Sequence, residues 1–243
     1  MNIKNLSVVF PFFNESLRVN ECFKNIQNFN RKNKLLNCEY VFVDDGSNDN
    51  TSNKIRNFIK SQKKKKKKFK LIRLNKNSGK GEALKRGISS CNNNWILTSD
   101  IDISVSLIQL NIWFKKKDIL ENEKIYFGSR NLSQSKVIYK IHRKIIGFFF
   151  NLIMNFLLRI DLKDTQCGFK LYPKKIAKKI FSKLKEKGFA HDIEIVLLAK
   201  KLGFNIKELP VKWKHKNNGK INLIKDSLKI FWSMVKLKRQ FNL

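Results

Sequence analysis

Histidine and cysteine are scarce. The three histidines are His142, His191 and His215, and the four cysteines, Cys22, Cys38, Cys91 and Cys167, form no CxxC pair. So few scattered ligands argue against a zinc site or a disulfide framework, and thiols spaced this way suit a reducing compartment. No run reaches the ~20 apolar residues that span a bilayer. The nearest, 145–158, is interrupted by Asn151 and Asn155 and flanked by His142, Arg143, Lys144 and Arg159. It fits either a buried core helix or a helix lying under lipid headgroups. Strand-like residues begin at Leu6, which leaves no room for a signal peptide. There is no GxxxxGK[ST] run and no GxGxxG, which disfavours a P-loop NTPase and a Rossmann dinucleotide site. Internal repeats and Pro/Gly-rich linkers are also missing, so the simplest reading is one domain over 1–243.

Acidic residues are outnumbered. Asp and Glu total 19 against 52 Lys and Arg, a net charge of +33. Genome composition can produce such a bias, and so can selection for an anionic partner such as nucleic acid, anionic lipid or a phosphorylated substrate. Either way, the charge draws the chain to a negative membrane surface. The lysine run at 63–68 reads as a solvated loop. Hydrophobic residues make up 42% of the chain, enough to bury a real core.

Strand and helix patterns alternate. Strands are predicted at 6–10, 39–43, 69–74, 95–98, 124–128 and 205–211. Helices are predicted at 14–28, with Asn14 as N-cap, and at 51–60, 80–91, 174–185 and 192–202, the last closed by Gly203. A further helical pattern covers 221–237, with lysines beside its apolar positions. This order predicts a mainly parallel sheet flanked by helices, whose ligands bind beyond the carboxyl ends of the strands. Polar clusters fall at four such ends: Asn14-Glu15, Asp44-Asp45, the stretch 77–80, and Asp100 with Asp102.

Asp100 and Asp102 follow the strand at 95–98. In an extended segment, residues i and i+2 share a side, so both carboxylates could reach one hard cation such as Mg²⁺ or Mn²⁺. By itself, Asp-x-Asp fits a turn after a strand equally well. Lys80, in a glycine turn before a helix where free N–H groups point outward, offers a phosphate site. Arg130 follows the strand ending at Gly128, and Asp44 or Asp45 could accept from a base or a ribose.

The ordered motifs Val8-Val9-Phe10-Pro11-Phe12-Phe13-Asn14-Glu15, Val43-Asp44-Asp45-Gly46-Ser47, Asn77-Ser78-Gly79-Lys80-Gly81 and Ser99-Asp100-Ile101-Asp102 resemble those of family 2 glycosyltransferases with a GT-A fold. Gly128-Ser129-Arg130, the run from Asp164-Thr165-Gln166-Cys167 to Gly168-Phe169-Lys170-Leu171, and Phe189-Ala190-His191-Asp192-Ile193-Glu194 are similar to the polyprenyl-phosphate branch, nearest the dolichyl-phosphate β-glucosyltransferases. The resemblance implies a GT-A, Rossmann-like sheet with basic amphipathic, membrane-contacting helices in the C-terminal half. It divides the chain into a nucleotide-sugar half, 1–110, and an acceptor half, 111–243. It implies inverting transfer of a hexose, with UDP-glucose as donor and dolichyl or undecaprenyl phosphate as acceptor, at the cytoplasmic face of a membrane.

In that resemblance, Pro11, Phe12, Glu15 and Asp44 line the uridine or guanosine pocket, and Asp45 supports the ribose. Lys80 and Ile101 attend the donor, and Asp100 and Asp102 hold the metal. Arg130 and Arg143 bind phosphate oxygens. Asp164 is the base or orienting carboxylate at the acceptor, with Glu194 and Lys220 around the same pocket. Two departures stand out: Ile101 replaces a small residue, and Ser104 stands where some relatives carry a Gln metal partner. Two enzyme alternatives are a GDP-mannose-dependent polyprenyl-phosphate mannosyltransferase and a saccharide-directed relative. A basic nucleic-acid-binding protein is the non-enzymatic alternative, though no RRM, KH or helix-turn-helix signature is present.

Overall fold

The computed structural model describes residues 3–62, 67–116, 123–138, 154, 156–188, 190–214 and 223–243, with backbone alone over 223–229. Strands β1 (Asn5–Phe12), β2 (Asn37–Asp44), β3 (Lys68–Arg73) and β4 (Trp95–Thr98) lie parallel. Between them run helices α1 (Val19–Lys32), α2 (Thr51–Ser61) and α3 (Lys80–Ser89). Helix α4 (Gln109–Lys115) leads to β5 (Lys124–Ser129) and β6 (Lys136–Ile138). Then follow β7 (Lys170–Pro173), α5 (Lys174–Lys183), α6 (His191–Lys201), β8 (Asn205–Pro210), β9 (Lys212–Lys214) and α7 (Leu223–Phe241).

The seven-stranded sheet runs β3-β2-β1-β4-β7-β5-β8, and β6 and β9 form a separate parallel pair. β7 is antiparallel to both of its neighbours, β4 and β5. The stretch 161–172 gave no strand signal of its own. Its pairing with β4 and β5 makes Lys170–Pro173 a strand, because a short buried run is read by its neighbours rather than by periodicity.

Strand residues alternate between two cores. Leu6, Val8, Phe10, Tyr40 and Phe42 meet α1, α2 and α4 on one face. Val9, Val41, Val43 and Ile96 meet α3, α5, α6 and α7 on the other. This is the period-2 pattern of a sheet covered on both sides. Helix α6 ends as expected: Gly203 N–H donates to Lys200 O at 3.1 Å and Phe204 N–H to Ala199 O at 2.9 Å.

The start of α1 differs from expectation. The helix begins at Val19, and Asn14 is not its cap. Asn14 sits in the left-handed region at φ 55°, and its Oδ1 accepts the amides of Asn48 at 2.8 Å and Asp49 at 3.3 Å. A residue that reads as a local cap instead ties the loop after β1 to the loop after β2. No described helix is long and apolar enough to cross a membrane.

Candidate active site

The carboxyl ends of β1 and β4 and the start of α3 open onto one crevice. Its lining includes Pro11, Lys80, Asp100, Gly168, His191 and Asp192. The aspartate pair is not extended. β4 ends at Thr98, and residues 100–103 make a turn closed by Ile103 N–H to Asp100 O at 3.2 Å, with Ile103 at φ 55°. The i, i+2 strand argument therefore fails locally, because the pair sits on a turn and not on a strand. Asp102 is fixed by Ser104, whose amide donates at 2.9 Å and whose hydroxyl donates at 3.0 Å. Ile101 is buried in the core with α1 and α4 rather than in the crevice.

Charge at the pair is partly balanced by the chain itself. Lys80 Nζ lies 2.7 Å from Asp100 Oδ1, and Arg18 lies 4.0 Å from Asp102 Oδ2. Burial and then the neighbouring Asp100 make Asp102 harder to ionise than an ordinary aspartate. Burial opposes the Lys80 charge, but Asp100, with Asp192 and Asp102 beyond it, raises its pKa above that of an ordinary lysine. Gly168 presses on Asp100, and a Cβ built there would lie 2.6 Å from Asp100 Cγ. Two oxygen ligands that repel each other, both open to solvent at 38% and 24% of their side chains, fit a hard divalent cation. Among the described residues no cluster of three His, Cys, Asp or Glu could complete a metal shell. Further ligands would come from water and the substrate.

The amides around Lys80 are not free, contrary to expectation. Asp45 accepts the amides of Ser78 at 2.7 Å and Gly79 at 2.8 Å, and Lys187 O accepts that of Gly81 at 2.7 Å. Buried amides must be satisfied, and here neighbouring loops do it. Burial raises the Asp45 pKa despite these bonds. Asp44 is fully buried. It accepts the Ser47 amide at 2.7 Å and the Ser52 hydroxyl, and it faces Arg73 Nε at 3.6 Å. Phe12 is also in the core, and Pro11 alone of the predicted base-pocket residues lines the crevice. Glu15 holds Arg18 through two bonds of 2.5 Å.

On the far side, Asp164 is 2% exposed and holds Arg130 through its backbone N–H at 2.9 Å, Nε at 2.7 Å and a terminal nitrogen at 2.8 Å. Burial would raise the Asp164 pKa, but Arg130 reverses this and the carboxyl lies below the ordinary value. Such a group holds a proton poorly. Glu208 in turn holds the amides of Lys163 at 2.8 Å and Asp164 at 2.9 Å. Glu194 is not brought to this cluster, and its carboxylate faces the loop at 185–186 and Gln240. Arg143 and Lys220 lie outside the described residues.

Sequence reasoning missed Arg18, although Glu15 and Arg18 at i, i+3 were a readable charge pair. It also missed the buried ion pair of Lys170 with Asp192, beside His191 Nε2 at 3.3 Å. Burial opposes the Asp192 charge, yet His191, Lys170 and Lys80 hold its pKa far below the ordinary value. The signal was the three ionisable residues Lys170, His191 and Asp192 inside the quoted motifs. Nothing in the sequence pointed to Glu208.

The glycosyl transferase family 2 model matches residues 7–181. Dolichyl-phosphate beta-glucosyltransferase of Dictyostelium discoideum is 31% identical over 97% of this chain and 74% of its own length. The Saccharomyces cerevisiae enzyme of the same name is 29% identical over 97% of this chain and 75% of its own length. Among solved structures, glucosyl-3-phosphoglycerate synthase from Mycobacterium tuberculosis, in complex with Mn²⁺, UDP and glucosyl-3-phosphoglycerate, superposes with a TM-score of 0.70 at 17% identity, over 96% of this chain and 79% of that one. Mannosyl-3-phosphoglycerate synthase from Rubrobacter xylanophilus gives 0.67 at 17%, over 97% and 74%. The fold shared with these structures and the matching family model mark a glycosyltransferase, and this chain belongs to glycosyl transferase family 2.

Proposed function

We propose that this chain transfers a hexose, glucose from UDP-glucose, to a polyprenyl phosphate of the dolichyl or undecaprenyl type, with inversion at the anomeric carbon. The observation that carries this reading is the end-to-end likeness to dolichyl-phosphate beta-glucosyltransferases, 31% over 97% of the chain. Residues 1–110 supply the groups that touch the donor, and residues 111–243 supply those that touch the acceptor. Pro11 and the loops built by Glu15, Asp44 and Asp45 frame the nucleotide. Asp100 and Asp102 hold Mg²⁺ or Mn²⁺. When bound, that cation neutralises charge on the departing diphosphate.

The chain's own groups do the rest. Lys80 balances Asp100 and lies where a diphosphate oxygen would approach. Arg130, fixed by Asp164, presents a guanidinium to the acceptor phosphate, with Arg143 and Lys220 as further cations. A phosphate acceptor is already anionic near neutral pH, so the reaction does not require a strong base. Catalysis is then the bringing together of two anions by fixed positive groups. The acceptor is a lipid, so the reading includes peripheral contact with a membrane, at its cytoplasmic face.

A donor panel tests the assignment: UDP-glucose, UDP-galactose, UDP-GlcNAc and GDP-mannose, each with a short polyprenyl phosphate and Mg²⁺ or Mn²⁺. UDP-glucose is expected to give lipid-linked sugar. Asp102→Asn should lower the rate by at least ~100-fold with its circular dichroism unchanged. Preference for GDP-mannose, or full activity in Asp102→Asn, overturns the reading.

A further inference from the structure

Lys80 sits between two glycines that have no room for a side chain. Gly79 has φ 103°, and a Cβ there would come 2.8 Å from Lys187 C. At Gly81, a Cβ would collide with Glu186 O and lie 2.8 Å from His191 Cβ. The loop 184–188 is thus laid directly against the turn that carries Lys80. It is also bonded to it: Gly81 N–H donates to Lys187 O at 2.7 Å, and Lys85 Nζ donates to Leu184 O at 2.8 Å.

That loop has no regular structure to hold its shape. Its Gly188 end is held by Glu186 Oε1, which accepts the Gly188 amide at 3.2 Å, and by His191 Nδ1, 2.7 Å from Gly188 O; its middle is held by Glu194, a fully buried residue of α6. One carboxylate oxygen, Oε2, accepts the amides of Lys185 at 3.0 Å and Glu186 at 2.6 Å. The other, Oε1, accepts from Gln240 of α7 at 3.2 Å. A buried carboxylate with two amides on one oxygen is a strong and directional anchor. From Glu194 the chain of contacts is short. It runs through the amides of residues 185 and 186 and the carbonyl of 187 to the Gly81 amide, and Lys80 is the next residue along.

We infer that Glu194 is a positioning residue of the donor side: it shapes the loop 184–188, and the loop sets the Gly79–Gly81 turn and with it the place of Lys80. The inference rests on the reading of Lys80 as a donor-diphosphate group. It departs from the acceptor role that resemblance gives Glu194. Asp164 and Arg130 share no bond with Glu194, whose carboxylate points to the loop and to α7.

The two placements predict opposite kinetics, and calorimetry with UDP and MnCl₂ separates them without turnover. Glu194→Gln keeps the size but loses the charge that holds both amides. It should weaken UDP binding and raise the donor KM about tenfold, a modest coupling through one intervening loop. The acceptor KM should stay within about twofold and kcat should change less than the donor KM. Lys85→Met, which cuts the second anchor from the loop's other end, should move UDP binding in the same direction, and it decides the matter if Glu194→Gln does not fold. Unchanged UDP binding in the folded variants, with a raised acceptor KM, overturns the inference and leaves the function standing. A wild-type chain that binds neither UDP nor GDP overturns the function and the inference together.

Discussion

At Asp164, burial alone would make the carboxyl easier to protonate, and Arg130 reverses that. The same residue type at Asp102 shows the opposite balance, because its near neighbour is another aspartate. Residue type therefore says little about role until the partner is known. The Asp164 shift has a testable sign. A carboxylate depressed in the folded state stabilises the protein above its unfolded value near ~4. That contribution is lost as pH falls through the depressed folded value. Asp164→Asn should therefore cost about 1–3 kcal/mol at neutral pH, since it leaves Arg130 and the Gln166 amide short of a partner. Urea unfolding from pH 7 down to 3 should show the gap narrowing below about pH 4. A gap that stays constant or widens would contradict the assigned partner. The roles of Asp164 and Arg130 as a pair were half legible: their motifs stood out, but the pairing joins residues 34 positions apart.

Among the elements, the loops after β1, β2 and β3 behave as one unit. Asn14 reaches Asn48 and Asp49, Asp45 reaches Ser78 and Gly79, and Asp49 reaches Ser16 at 3.1 Å. Asp49 also lies just before α2, whose N-cap is Asn50, and its Oδ1 accepts the Thr51 amide at 3.0 Å and the Thr51 hydroxyl. Partial burial opposes its charge, but these donors bring its pKa down to about 2 from an ordinary 3.8. The shift stabilises the fold above pH ~4 and is lost as pH falls towards the folded value. Asp49→Ala should cost about 1–2 kcal/mol at pH 7. In thermal melts across pH, the difference should fade towards pH 2, and a difference independent of pH would remove Asp49 from this role. Most helix bodies were legible because their apolar spacing repeats, but the short helix α4 and the short strands β6 and β9 were not read. The start of α1 and the strand β7 were not, since both are decided by contacts with distant segments.

At the scale of the molecule, a net charge of +33 is spread over a fold that also leaves large apolar groups in water. On α7, Trp232 is 69% exposed, and Lys236 and Arg239 are exposed at i+4 and i+7 from it, while Met234 and Leu237 face the core. An aromatic group between basic ones suits the boundary between headgroups and acyl chains. In flotation, the chain should bind vesicles containing anionic lipid at low salt and release at ~0.5 M salt, because charge attraction is screened. Trp232→Ala should weaken binding, and no binding at low salt would remove the membrane proposal. From local order alone, the sequence determined the alternation of strands and helices, the four polar strand ends and the family, because hydrophobic period and motif order are properties of neighbouring residues. The tertiary structure alone decided which partners each carboxylate meets. Asp100 pairs with Lys80 and Asp102 with Ser104 while both side chains stay partly exposed, whereas Asp44, Asp164 and Glu194 are buried and bonded to their partners. That division depends on burial and on partners distant in sequence, which no local pattern encodes.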